Sequence, residues 1–175
     1  MEKKRVCKTN LQVKHDMYEA LVRLLQEKSL SAVNVSDLTT AAKVSRMSFY
    51  RNYDTIEDIL REHLDEVVEE YRGEDSRIAG DDRIKLEKEY MEHCFDFLYR
   101  HRDFLNTIIN CGLGDLFLAK ITEYLTGKWM NGQTDIQKEV EMSAFAGAIY
   151  NIYRFWRKNS FRQSPQELAQ ILCCR

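Results

Sequence analysis

Residues 34–60 read NVSDLTTAAKVSRMSFYRNYDTIEDIL, and three helix starts lie close together within them. Asn34 can cap a helix, with Asp37 three residues on closing a box at shorter reach than the usual Glu or Gln, and about eight residues of helix follow to Lys43. Val44 and Ser45 then interrupt. Ser45 can cap a third short helix from Arg46 to Tyr53, with Ser48 in its first turn. Thr55-Ile56-Glu57-Asp58 is a further capping-box pattern, opening a long helix with Ile59, Leu60, His63, Leu64, Val67, Val68 and Tyr71 on one stripe. A helix-turn-helix needs small residues where its second helix crosses the first, an apolar plug in the turn, and one buried ring under an exposed polar face. Ala41 and Ala42, Val44, and Phe49 meet those needs in order. With Phe49 inward, steps of about 100° place Met47 and Arg51 opposite it and Ser48 and Tyr50 on its flanks. One cation, two hydroxyls and a thioether on that face suit contact with a groove and its phosphates.

Working outward, Met17, Leu21, Leu24, Leu25 and Lys28 fall at helical spacing with Ala20 beside them, predicting a first amphipathic helix from about 10 to 28. Residues 73–82, GEDSRIAGDD, are the best candidate for a flexible connection. Beyond them Leu86, Tyr90, Cys94, Phe97, Leu98 and His101 share a stripe, and further helices are predicted at about 103–111, before Gly112 and Gly114, and at about 115–129, before a turn at Asn131-Gly132. The segment 136–158 differs in kind. Ala144, Ala148, Ile152 and Phe155 lie on one side of it and Phe145, Ile149, Tyr153 and Trp156 on another. Ser164-Pro165-Gln166-Glu167 puts Ser at a cap, Pro at the first helical position and Glu at the third, and Leu168, Ile171 and Leu172 follow on a stripe.

The expected fold is therefore all-α: an N-terminal three-helix helix-turn-helix head, residues 1–54, and a C-terminal helical bundle, residues 55–175. Composition agrees. Seven glycines and one proline in 175 residues are too few for the turns of a β-sandwich or for a glycine-rich nucleotide-binding fold. No stretch approaches the roughly 20 apolar residues of a membrane span, and the start MEKKRVCKTN has no apolar run behind its basic beginning. The expected location is the cytoplasm, with no membrane partner.

Charge divides the chain unevenly. Residues 1–53 hold ten Lys and Arg against five acids, a balance of +5, whereas the remainder carries a balance of -7. A basic head on an acidic body fits a head that meets a polyanion, although such an excess also arises by chance.

Catalytic and metal-binding chemistry find little support. Cys7, Cys94, Cys111, Cys173 and Cys174 lack metal-type spacing and read as reduced thiols. His63, His93 and His101 have no Asp, Glu or His partners at ligand spacing, and read as partly buried or solvated helix residues. No Ser-His-Asp arrangement, glycine-rich phosphate loop or paired-carboxylate signature is present. We expect no enzyme, no metal and no cofactor; the remaining catalytic alternative is a thiol chemistry of Cys94 or Cys111 with a histidine.

From about Met17 to Leu64 the chain resembles the tetracycline-repressor (TetR) family of bacterial transcription regulators. The likeness is strongest in VSRMSFYRNYDTIEDIL, where that family has a pattern of the type V-S-x-x-x-hydrophobic-Y-x-x-aromatic-x-S/T-x-E-x-L, with Leu21, Leu24, Leu25, Val35 and Leu38 where it places core residues. The resemblance implies that the third helix enters the major groove, with Arg46, Met47, Ser48 and Arg51 facing bases and Tyr50 and Tyr53 bonding phosphates. Lys43 and Ser45 complete the expected DNA-binding set. Two positions depart from the family pattern: Lys43 stands where Gly is usual, and Ile56 where Lys is usual. The second removes a phosphate contact, leaving more to Lys43 and the basic arm Lys3 to Lys8.

The expected function is that of a sequence-specific DNA-binding transcriptional regulator, a repressor released by a small-molecule effector. The alternative is a helical adaptor of the same fold that does not bind DNA. Thirteen Phe, Tyr and Trp residues between Tyr90 and Trp156 serve mainly as core, and some can line an effector cavity. Because the 136–158 helix has two apolar faces and the edge of a bundle buries one, the other requires a partner. Ala144, Ala148, Ile152 and Phe155, with Leu168, Ile171 and Leu172, are the expected homodimer interface, and two-fold symmetry implies a palindromic duplex operator.

Overall fold

The computed structural model describes residues 9–75, 83–130 and 135–173, with side chains omitted at 83–87. The arm Lys3 to Lys8, most of the 73–82 connection and the Asn131-Gly132 turn lie outside the described residues. Nine α-helices and one short 3-10 turn, Leu30–Ala32, make up the regular structure of the described residues, and none of these residues is in a strand. Two compact units result, one ending at Leu64 and one beginning at Asp65.

In the first unit α1 (Asn10–Leu25) begins at Thr9, whose hydroxyl accepts from the Gln12 amide at 3.3 Å, and buries Met17, Ala20 and Leu21. It packs on α2 (Val35–Ala42), which packs on α3 (Arg46–Tyr50). Both short helices start where the sequence predicts. The Asn34 side chain accepts from the Asp37 amide at 2.9 Å, and Ser45 Oγ accepts from the Ser48 amide at 3.0 Å. Helix α4 (Glu57–Asp75) opens with a reciprocal box: the Thr55 amide donates to Asp58 at 2.6 Å and the Asp58 amide to Thr55 Oγ1 at 3.3 Å. Ile59, Leu60 and Leu64 of its first two turns are buried, which is why packing carries the head past residue 54. Each such side chain contributes about 1.5–3 kcal/mol on burial.

The second unit is built on two helix pairs, α5 (Arg83–Arg100) on α9 (Pro165–Cys173) and α7 (Gly114–Trp129) on α8 (Ile136–Lys158), with α6 (Arg102–Asn110) against α5 and α7. Gly112, at φ 79°, takes the left-handed conformation that turns α6 into α7. A Cβ at Gly114 would collide with the Tyr150 hydroxyl, so α7 approaches α8 closely there. Two aromatic layers fill the core. Phe117 meets Tyr150 and Tyr153 edge-on at 5.8 and 5.7 Å, and Trp156 packs among Phe95, Tyr99 and Phe161. Two polar atoms of these rings are satisfied inside the unit: Tyr153 donates to the Arg102 carbonyl at 3.2 Å and Trp156 Nε1 to the Gln163 carbonyl at 2.9 Å. The α8–α9 link is unusual, because Ser160 and Phe161, neither of them glycine, both sit at positive φ, 55° and 54°. Helix α9 then begins in the predicted box, Ser164 amide to Glu167 at 2.7 Å and Glu167 amide to Ser164 Oγ at 3.2 Å.

Candidate nucleic-acid interface

A short helix is exact in direction only if both its ends are fixed, and α3 is fixed at both. Ahead of it, Lys43 adopts φ 55° and ψ 43°, so that its own amide returns to Thr40 O and that of Val44 to Thr39 O, ending α2 within one residue. At its start the Ser45 and Ser48 hydroxyls lie 2.9 Å apart above the amide cap. At its end Asn52 Nδ2 donates to the Ser48 carbonyl at 2.7 Å, and the Tyr53 amide returns to Phe49 O. The regular helix stops at Tyr50, earlier than predicted, while helical hydrogen bonding persists to Tyr53.

Phe49 is fully buried, with Tyr50 edge-on to it at 5.2 Å. The face opposite is open: Met47 is 73% and Tyr50 55% exposed, Arg46 and Arg51 are exposed, and Ser48 is half-buried. Lys43 and Ser45 are exposed on the turn that precedes them. Among the described residues no carboxylate pairs with Lys43, Arg46 or Arg51, which leaves three exposed cations for an external anion.

Tyr53 departs from the expected phosphate role. Its ring is buried and its hydroxyl donates to Glu62 Oε2 at 2.5 Å. Lys14 closes the group from α1, its ammonium 2.5 Å from Glu62 Oε1 and 5.6 Å above the Tyr53 ring. Burial pushes the Glu62 carboxyl up, but the hydrogen bonds from Lys14 and Tyr53 outweigh it and hold the group below the usual carboxylate range. Tyr53 thus ties the end of the α3 segment to α4 and α1. Sequence periodicity gave no sign of this hub, since Lys14 and Glu62 lie 48 residues apart. A second ion pair, Lys28 with Asp37, braces α2, and the Lys28 hydrogen bond holds the Asp37 carboxyl below its usual range. Ile56 is half-buried at the entry to α4.

The residues expected to join two chains divide. Ala144, Ala148 and Phe155 are exposed on α8 and Ile152 is half-buried, and Ile136 and Val140 extend the same exposed row toward the helix start. On α9, Ile171 is 65% exposed and Leu172 half-buried. Leu168 differs: it is buried in its own unit beside Ala169, because α9 turns that side toward α5.

The other candidates are occupied structurally. His63 lies 3.9 Å from the Tyr18 ring, His93 stacks on Tyr71 and His101 on Phe97. Among the described residues no three His, Cys, Asp or Glu side chains are grouped to hold a metal ion. Burial pushes the Cys94 thiol up to about 12, which keeps it protonated and unreactive at neutral pH. Among the described residues no helix is long and apolar enough to cross a membrane.

Comparison with known proteins covers both units. Residues 18–63 match the family model described as bacterial regulatory proteins, tetR family, and residues 87–173 match one described as a transcriptional regulator C-terminal region. A curated relative, the uncharacterized HTH-type transcriptional regulator YxbF of Bacillus subtilis strain 168, is 22% identical over 157 residues, which are 87% of this chain and 41% of that protein. The chain thus spans about two fifths of the length of that relative. The solved structure of Lin0861 from Listeria innocua superposes with a TM-score of 0.77 at 13% identity, over 98% of this chain and 92% of that one. The regulator FadR from Bacillus subtilis, solved in complex with stearoyl-CoA, superposes with a TM-score of 0.57 at 14% identity, over 91% and 95% of the two chains. At such identities the likeness is one of fold.

Proposed function

The chain belongs to the TetR family of transcriptional regulators, and from that premise we propose that it is a sequence-specific repressor whose α3 segment reads duplex DNA and whose second unit answers to a small-molecule effector. One observation carries the reading: a doubly capped helix presents Met47, Tyr50 and Arg51 outward over a fully buried Phe49, with Lys43, Arg46 and Arg51 unpaired among the described residues. Arg46 and Arg51 have the fork geometry for guanine edges or phosphates, Met47 the apolar surface for a thymine methyl, and Tyr50 a hydroxyl within reach of the backbone. Tyr53 acts through Glu62 as a positioning residue. The chain's proposed working place is the cytoplasm.

Dimerisation completes the reading. The exposed row Ile136, Val140, Ala144, Ala148 and Phe155, with Ile152 on the same helix and Ile171 and Leu172 from α9, meets its copy across a two-fold axis, the alanines permitting close helix approach. Two α3 segments then address half-sites about 34–36 Å apart or a multiple of it. Selection of bound duplexes from a random pool tests the proposal: an enriched palindrome is the expected result, and retention of no duplex at low salt would leave the adaptor reading in its place.

A further inference from the structure

Side chains of α4, α5 and α7 meet in a buried polar cluster of the second unit that DNA binding does not use. At its centre Asp75, the last residue of α4, is only 3% exposed. Its Oδ2 accepts from the Tyr124 hydroxyl and the Lys128 ammonium, whereas its Oδ1 is buried and has no hydrogen-bond partner among the described residues; the Tyr71 hydroxyl, also buried, lies beside Tyr90 and Cys94. A carboxylate oxygen left bare in the interior carries a desolvation penalty that only a donor can offset. The Lys128 ammonium lies 4.5 Å above the Tyr90 ring and 5.3 Å above that of Trp129, and those two rings meet edge-on at 6.4 Å. A carboxylate on one side and two aromatic faces on others form a cage for an organic cation. Its present occupant is the chain's own lysine, whose side chain is partly exposed and whose flexible stem can withdraw to water. Tyr124 also walls an open cavity of about 160 Å³. Three carboxylates, Asp65, Glu69 and Glu123, line that cavity against two cations, Lys120 and Arg72, and Arg72 already rests 5.5 Å over the Tyr124 ring.

We propose that this cluster is the effector site, that its ligand is a small alkylammonium ion with N–H donors, and that the ligand displaces the Lys128 ammonium, which serves as its tethered stand-in. The proposal rests on the effector-responsive reading above. The incoming ammonium takes the place of Lys128 on Asp75 and over the faces of Tyr90 and Trp129, with N–H donors to spare for the bare Oδ1. A carboxylate ligand meets Asp75 with like charge and is rejected, and a neutral isostere forgoes the cation–π contacts.

The test titrates the full chain with n-butylammonium chloride at constant ionic strength, reading tryptophan fluorescence and melting temperature, with sodium butyrate and 1-pentanol as comparators. A saturable response to the amine alone is expected. Lys128→Ala, which empties the cage, should bind the amine at least tenfold more tightly than the parent, and Asp75→Asn should abolish the response. No response of the parent chain, or an equal response to 1-pentanol, overturns the proposal, and does so even if Lys128→Ala fails to fold. A duplex-retention arm separates the two readings. Amine binding without duplex release upholds the cation site and refutes its role as effector site, while release by another ligand with no amine binding preserves effector control and refutes the site.

Discussion

Lys43 holds a left-handed backbone, φ 55°, at the residue that ends α2, a conformation costing an L-residue with a Cβ roughly 1–2 kcal/mol. Lys43→Gly should therefore stabilise the fold by about 0.5–1 kcal/mol after the extra chain entropy of glycine is deducted, read as a higher urea midpoint. If the side chain touches phosphate, the same variant binds every duplex more weakly and lowers the salt slope by about one. A lower midpoint would contradict the turn geometry. Arg51→Ala and Tyr50→Phe, both on the open face, should weaken duplex binding without changing the melting temperature; a base contact of Arg51 would show as a loss of roughly 1–3 kcal/mol confined to one operator position. Unchanged retention in both variants would remove α3 from the interface. Glu62 predicts a pH effect. A carboxyl depressed in the folded state stabilises it fully above the ordinary glutamate range, and the contribution drains away as the pH falls through the depressed value. Acid unfolding of the head should accordingly be blunted in Glu62→Gln, followed by circular dichroism between pH 5 and pH 2.5, about and below the ordinary carboxylate range.

The helices show what a sequence displays and what it conceals. Caps at Asn34, Ser45, Thr55 and Ser164 were legible because each is a hydrogen bond between residues three apart, and every one forms as read. Phe49 inward and Met47 outward follow from helical period alone. Stripes are weaker evidence: Leu168 shares one with Ile171, yet period does not say which neighbour claims which side, and α5 claims Leu168. Tyr53 and Asp75 were hidden for a further reason. Their partners, Glu62 with Lys14 and Tyr124 with Lys128, are brought near by packing over long separations, as the 49 residues between Asp75 and Tyr124 illustrate. For α8 the exposed row makes a definite claim. Ala148→Arg or Ile171→Asp should convert a sedimenting dimer into a 20.7 kDa species, and a parent chain that already sediments at 20.7 kDa at micromolar concentration would refute the interface.

At the scale of the chain the charge division becomes an electrostatic expectation. A head with a balance of +5 ahead of a body at -7 should bind duplex with a steep inverse dependence on salt, about 0.9 in log-log slope for each phosphate neutralised. A slope near zero would show that the basic residues do not meet the backbone. The packing boundary at Leu64 has a practical side as well. A fragment ending at residue 54 lacks Ile59, Leu60, Leu64 and the Glu62 carboxylate, so it should be unfolded by circular dichroism where one ending beyond Leu64 is helical.

The corner at Ser160 and Phe161 sets an order of opening. Two consecutive left-handed residues favour release, and the Phe161 ring, wedged among Tyr99, Tyr153 and Trp156, is the latch that opposes it. Slow deuterium uptake along α9 should therefore hinge on one phenyl group. With Phe161→Leu, amides of residues 166–173 would exchange ahead of those in α5 and α8, while the head keeps its own pace. A chain poised in this way surrenders α9 first, and with it Ile171 and Leu172, so that if the proposed dimer forms through them its subunits should part before either of them unfolds.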